Sequence, residues 1–114
     1  MFIDKKELAK RLNKPIDEIV VGFTASSFDL MHAGHIVMLQ ESKQLCDYLI
    51  VGLLTDPTLD RPDTKNKPIQ SIFERYIQVS SCQYVDEVIP FESEKDLEDM
   101  ILTINPDIRI CGEE

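Results

Sequence analysis

The hydrophobic positions of this chain form two kinds of run. Four short runs are rich in apolar and β-branched residues, as strands buried on both faces are: residues 18–24, 48–55, 85–91 and 108–111. Between them, apolar residues recur every three or four positions along residues 33–46, along residues 69–84 and after Ser93, which indicates helices. This alternation predicts parallel strands joined by right-handed crossovers. We therefore expect an α/β fold, a Rossmann-like three-layer sandwich with a mainly parallel sheet.

The length of 114 residues predicts a single domain over residues 1–114. Within it, a short N-terminal helix is expected inside residues 1–15, because Asp4 and Glu7 have the spacing of a capping box and Leu8 and Leu12 lie four apart. The catalytic core is expected over residues 18–114.

The helical spacing also predicts which side chains face the core. These are Ile36, Val37, Leu39, Cys46, Ile72, Tyr76, Val79, Leu97, Ile101 and Ile104. The three cysteines have no metal-finger spacing, so we expect Cys46, Cys82 and Cys111 to be buried, reduced thiols.

The formal net charge of −9 argues against polymeric nucleic acid as a partner, because its phosphates would repel this chain. No apolar run approaches the roughly 20 residues that span a membrane, and the N-terminus lacks the apolar region of a secretory signal. We expect no membrane partner and a cytoplasmic location. A local basic cluster can still bind a small phosphate compound, and residues 56–67, the longest polar segment, contain Arg61, Lys65 and Lys67.

Two histidines, the only ones in the chain, flank a glycine at the start of a predicted helix: His32, Gly34 and His35. Their spacing puts both imidazoles on one side of the first turn, and the glycine allows close approach to the backbone. The helix N-terminus adds N–H donors and a partial positive charge. Because this point follows the first strand, where ligands of such sheets bind, the pattern predicts a phosphate site. A zinc site is disfavoured, because no third ligand is placed to complete it.

Three segments carry a resemblance to a known family: residues 27–35 (SFDLMHAGH), 43–51 (KQLCDYLIV) and 84–90 (YVDEVIP). They resemble the cytidylyltransferase family of the HxGH nucleotidyltransferase superfamily, closest to the glycerol-3-phosphate cytidylyltransferases. The resemblance covers about residues 20–114. It implies transfer of CMP from CTP to a small phosphorylated alcohol, with glycerol 3-phosphate as the favoured acceptor and pyrophosphate as the leaving group.

The resemblance also implies roles for individual residues. It implies that the catalytic residues are His32, His35 and Lys67. It implies that the nucleotide is bound by Ser26, Ser27, Phe28, Asp29, Gly34, Lys65, Arg75, Gly112 and Glu113. Other interpretations stay open for some of these: solvated loop charges for the two lysines, a surface ion pair for Arg75, and a turn or cap for Asp29.

The implied chemistry needs no general base, because a phosphate monoester is already a nucleophilic anion near neutral pH. The difficulty is to bring two anions together, which positioning and electrostatic stabilisation can achieve. The resemblance implies magnesium as cofactor, held mainly by phosphate oxygens rather than by a protein metal site. It also implies a homodimer.

Three departures from the family pattern are visible, the first being Gln83, where the family often has a basic residue. Ser26 stands where the family usually has glycine, and the family's Arg-Thr-Glu-Gly-Ile-Ser-Thr-Thr-like segment has no counterpart, so we expect the sequence to be truncated at its C-terminus. Two alternative functions remain: an adenylyltransferase that uses ATP and a sugar phosphate, and a non-catalytic nucleotide-binding or dimerisation module.

Overall fold

A computed structural model describes residues 4–63 and 65–111 of the chain. Its four strands are β1 (Val21–Ser26), β2 (Tyr48–Leu54), β3 (Glu87–Phe91) and β4 (Ile108–Arg109). Its helices are α1 (Lys5–Leu12), α2 (Ala33–Gln44), α3 (Ile72–Ser80) and α4 (Glu94–Ile104), with one 3₁₀ turn at Ile16–Glu18. The strands form one sheet in the order β3-β2-β1-β4, and every pairing between neighbours is parallel.

The helices cover both faces of the sheet, because alternate residues of the central strands point to opposite sides. Phe23 and Ile50 belong to a core with buried residues of α1 and α4. Leu49 and Val51 belong to a second core with buried residues of α2 and α3. The prediction of a three-layer α/β sandwich with parallel strands is therefore confirmed.

The amino edge of the sheet is held by three aspartates, each of which precedes a strand. Asp47, Asp86 and Asp107 each accept a hydrogen bond, 2.7–2.8 Å long, from a main-chain N–H within one residue of the start of the adjacent strand. Each also pairs with a lysine: the partners are, in the same order, Lys14, Lys43 and Lys5. These contacts fix the register of the sheet at the edge opposite the loops that follow the strands.

Several side chains predicted to face the core do not. Val37 is 50% exposed, because α2 packs through Leu39 and Val37 lies about 200° around the helix from it. Ile36, one turn before Leu39 at the start of α2, is 44% exposed. Tyr76 is 40% exposed because its neighbour Arg75 takes the buried position on α3.

The cysteine prediction is wrong in one respect. All three thiols are free, but Cys111 is exposed, because the pairing of β4 ends at Arg109, and Cys46 and Cys82 are only partly buried. In the described part of the chain, no helix has the length and apolar character needed to cross a membrane.

Candidate active site

The loop between β1 and α2 has an unusual backbone. Phe28 and Leu30 both have φ near +49°, a conformation that side chains other than glycine adopt rarely and at a cost of about 1–3 kcal/mol each. Contacts on both sides hold the loop in place. Phe28 is buried in the core beneath α2 and α3, and the Leu30 N–H donates to Gln70 Oε1 at 2.8 Å. The Asp29 carboxylate accepts the N–H groups of Ile69 and Gln70, both at 2.9 Å.

The two histidines form an interlocked pair at the start of α2. His32 caps the helix, and its Nδ1 accepts the N–H of Gly34 at 3.0 Å. His35 Nδ1 accepts the N–H of His32, also at 3.0 Å, and the ring centroids lie 4.2 Å apart. Because each Nδ1 accepts a hydrogen bond, the proton of each neutral imidazole belongs on Nε2. The helix N-terminus therefore carries two fixed Nε2–H donors.

The imidazole ring of His32 packs directly against Gly34. A Cβ at this position would lie 2.8 Å from His32 Cε1 and 3.1 Å from its Nδ1. The imidazole of His32 thus occupies the space that any other side chain would need. This contact explains why position 34 requires glycine. The backbone conformation does not, since φ of Gly34 is not positive.

The electrostatics favour a neutral imidazole at His35. Partial burial, and secondarily the charge of His32, lower the pKa of His35 from its usual 6.5. At neutral pH His35 is therefore unprotonated on Nδ1, as its hydrogen bond to the main chain requires. The same helix end is favourable for anions, because its unpaired N–H groups carry a partial positive charge.

In the part of the chain that the structure describes, two clefts reach the carboxyl edge of the sheet, one on each face. The α2 cleft, about 630 Å³, is lined by His32, Gly34, His35, Met38, Glu41 and Cys111, among others. The α4 cleft, about 320 Å³, is lined by Ser26, Ser27, Arg61, Lys65, Glu94 and Leu97, among others. The loop of residues 27–32 connects them, since Ser27 lines one cleft and His32 the other.

The basic residues of the long polar loop lie at different places. Arg61 donates two hydrogen bonds to Glu94 Oε1, at 2.7 and 3.1 Å, within the α4 cleft. Lys65 lines the same cleft and is partly buried. Lys67 is exposed, and its charge acts on Asp56, whose pKa is lowered first by hydrogen bonds from Thr58.

The remaining predicted site residues are placed as follows. Ser26 and Ser27 line the α4 cleft, whereas the side chain of Phe28 is buried and 5.7 Å from the His35 ring, centroid to centroid. Arg75 is only 1% exposed and donates to main-chain carbonyls, so it does not form a surface ion pair. Gly112 and Glu113 lie outside the described residues.

The sequence did not point to three residues that shape this site. Gln70 holds the loop through its side chain, and Glu41 and Cys111 line the α2 cleft. Gln70 is a single polar residue in a loop, and no local pattern distinguishes it. Glu41 could have been found from its position seven residues after Gly34, which is about two helical turns further along the same face of α2.

Comparison with known proteins places the chain in a family. A family model described as cytidylyltransferase-like matches residues 23–114, which is most of the chain. The chain therefore belongs to the cytidylyltransferase-like family, as the resemblance in its sequence predicted.

Individual relatives agree with this assignment. The ethanolamine-phosphate cytidylyltransferase of Dictyostelium discoideum is 40% identical over 80% of this chain and 26% of its own length. The bifunctional protein HldE of Campylobacter jejuni subsp. jejuni serotype O:6 is 38% identical over 96% of this chain and 23% of its own length. A crystal structure of a lipopolysaccharide core biosynthesis protein from Thermoplasma volcanium GSS1 matches with a TM-score of 0.69 and 33% identity, covering 80% of this chain and 72% of that one. The chain spans about a quarter of the length of these two curated relatives.

Proposed function

We propose that this protein transfers CMP from CTP to a small phosphate monoester and releases pyrophosphate. The observation that carries the proposal is the pair of imidazoles whose Nδ1 atoms accept main-chain N–H groups, which leaves two Nε2–H donors at a helix N-terminus. Membership of the cytidylyltransferase-like family supports the reaction class. A relative named for ethanolamine phosphate supports an acceptor that carries a phosphate monoester.

In the proposed reaction, an oxygen of the acceptor phosphate forms a bond to the α-phosphorus of CTP. The bond from that phosphorus to the bridging oxygen breaks, and pyrophosphate leaves with its electron pair. No residue has to remove a proton, because the acceptor is already an anion. His32 and His35 donate their Nε2–H groups to triphosphate oxygens, where negative charge develops. The N-terminus of α2 adds its N–H groups and partial positive charge.

The two clefts suggest separate places for the two substrates. The nucleotide occupies the α2 cleft, where its phosphates reach Gly34 and the histidines. The acceptor phosphate is proposed to approach through the α4 cleft, and Ser27 and Lys65, which line that cleft, keep the proposed role of nucleotide contacts. Lys67, exposed on the same loop as Lys65, is proposed to contact the triphosphate when nucleotide is bound.

Magnesium fits this arrangement as a companion of the nucleotide. Within residues 4–63 and 65–111 there is no group of three or more His, Cys, Asp or Glu side chains that could hold a metal ion. Mg²⁺ commonly keeps several waters and binds through substrate phosphates, and there it would neutralise part of the triphosphate charge. The protein's contribution is then the set of donors that holds the phosphates.

A homodimer is proposed as the assembly. Family membership supports it, and so do the apolar side chains that α3 exposes, with Phe73 70% and Ile77 46% exposed. Light scattering of the purified protein checks this: we expect twice the chain mass, and a smaller mass for Phe73→Glu. A monomeric parent protein would refute the homodimer.

The second candidate is an adenylyltransferase that acts on a sugar phosphate. It is favoured by the similarity to a protein described by its role in lipopolysaccharide core biosynthesis. The same histidine pair serves either nucleotide, because the pair contacts phosphates and not the base.

A panel of substrates tests these proposals. CTP or ATP is combined with Mg²⁺ and with glycerol 3-phosphate, ethanolamine phosphate or a sugar 1-phosphate, and pyrophosphate release is measured. We expect release with CTP and an alcohol phosphate. Release with ATP and the sugar phosphate alone selects the second candidate. Nucleotide binding without release from any combination would refute both and favour a non-catalytic module.

A further inference from the structure

Arg75 on α3 joins three separate segments of the chain beneath the site. Its Nη1 donates to the carbonyl oxygens of Ser27 at 2.9 Å and Leu54 at 2.6 Å. Its Nη2 donates to the carbonyl of Thr55 at 2.5 Å, and its Nε to that of Gln70 at 3.2 Å. These four carbonyls belong to the end of β1, the end of β2 and the start of α3.

The bonding pattern requires a guanidinium group. Its planar arrangement of N–H donors reaches several carbonyls in fixed directions, whereas a lysine presents a single nitrogen. The side chain is 1% exposed, so its charge depends on these bonds and on the charges of Asp29 and Asp56. The Arg75 guanidinium therefore makes its hydrogen bonds to main-chain carbonyls inside the protein.

The same network continues to the loop that carries the histidines. Gln70 accepts a hydrogen bond from Arg75 through its carbonyl, donates its N–H to Asp29, and accepts the Leu30 N–H through its side chain. Arg75 thus holds the loop at Ser27 directly and at residues 29 and 30 through Gln70. Both clefts adjoin this loop, since Ser27 and His32 line them.

We propose that Arg75 is a positioning residue for nucleotidyl transfer: it fixes the loop between β1 and the histidines relative to the end of β2, and it touches neither substrate. The proposal rests on the proposed function. Its physical basis is that in-line transfer needs donors within a fraction of an ångström of their places, and a displacement of about 1 Å can cost about 100-fold in rate.

The first test compares Arg75→Lys with Ile104→Ala. Ile104 is a buried residue at the far end of α4, in the core on the opposite face of the sheet, so its truncation lowers stability without touching the loop. At a temperature where circular dichroism shows both variants folded, we expect kcat of Arg75→Lys to fall at least about 30-fold and that of Ile104→Ala to stay within about threefold. A raised KM for CTP with kcat unchanged would overturn the proposal, because it would mean direct contact with nucleotide.

Arg75→Gln provides a second variant, because a neutral amide needs no buried countercharge and still lacks the guanidinium fork. The same loss of kcat is expected. If neither variant folds, the proposal is overturned, since Arg75 would then serve the fold and not the placement of the loop.

A second readout does not depend on activity. Amide hydrogen exchange by NMR should become more than about tenfold faster at Leu30 and Gln70 in Arg75→Lys but not in Ile104→Ala, because local opening of the loop exposes these N–H groups. Unchanged exchange in Arg75→Lys would overturn the proposal. If exchange is faster in Arg75→Lys but the parent protein shows no nucleotidyl transfer with any substrate, Arg75 still positions the loop, and the proposed function is refuted instead.

Discussion

Replacing Gly34 by alanine should separate activity from stability. The added Cβ would lie 2.8 Å from His32 Cε1, where ordinary van der Waals contact begins at 3.4 Å. The imidazole must therefore move by about 0.6 Å or rotate away, because overlap at that distance is strongly repulsive. The neighbouring contact with Nδ1, at 3.1 Å, is the same atom that accepts the Gly34 N–H.

Two opposing terms leave the stability of Gly34→Ala almost unchanged. Losing the cap bond between Gly34 N–H and His32 costs about 1 kcal/mol. Alanine recovers about 0.5–1 kcal/mol relative to glycine inside a helix. Catalysis has no such compensation, since a displaced donor at the reacting phosphates costs about 100-fold, or about 2.7 kcal/mol.

The assay is kcat/KM from pyrophosphate release, with thermal unfolding of the same samples. The control is Ala33→Gly, the reverse change one position earlier in the same turn, which should lower stability and leave the rate within about threefold. If folded Gly34→Ala works at the parental rate, the contact with Gly34 does not control the position of the His32 ring in the reaction.

Three further predictions concern other contacts. The pKa of His35, followed by NMR of its ring protons, should lie below 6.5. Because this pKa is lower in the folded protein than in the unfolded chain, the contribution of His35 to stability is present above pH 6.5 and is lost as the pH falls through the folded pKa. A pKa above 6.5 would contradict the hydrogen bond assigned to His35 Nδ1. Asp47 has a lowered pKa because of Lys14 and a main-chain N–H, so Asp47→Asn should destabilise the fold at pH 6 more than at pH 3 in urea unfolding; an equal effect at both pH values would refute this. Gly22→Ala should cost about 1–3 kcal/mol, because the new Cβ would lie 2.8 Å from Cys46 Sγ, and unchanged urea stability would show that the contact relaxes freely.

The fold was predictable because its signals are local and periodic. The run at residues 48–55 became β2, Tyr48–Leu54, and the helix predicted after His32 begins at Ala33. The exposure of Ile36 and Val37 was not predictable in the same way. Which of several apolar side chains faces the sheet depends on how α2 packs against it, and a single helix does not contain that information.

The site was predictable only where its residues are neighbours in sequence. His32, Gly34 and His35 share one helical turn, so their proximity follows from spacing alone. Arg75 shows the opposite case, because a charged residue on a helix normally indicates a solvated position. Its burial depends on carbonyls that lie 20 to 48 residues away along the chain.

The assignment of Lys65 and Lys67 illustrates an intermediate case. Both belong to one loop, but Lys65 lines the α4 cleft, whereas Lys67 is exposed. Spacing cannot decide this, because a loop without periodic structure does not fix the direction of its side chains. The role predicted for Lys67 stays a prediction.

The most direct test of nucleotidyl transfer is ³¹P NMR of the protein with CTP, Mg²⁺ and glycerol 3-phosphate, beside His32→Ala and His35→Ala. We expect pyrophosphate and a new diphosphate diester to form together with the parent protein, and each substitution to slow the formation of both by about 100-fold or more. Equal product formation by the parent and the folded His35→Ala variant would refute the proposed role of the histidine pair, because the paired imidazoles would then have no part in the reaction.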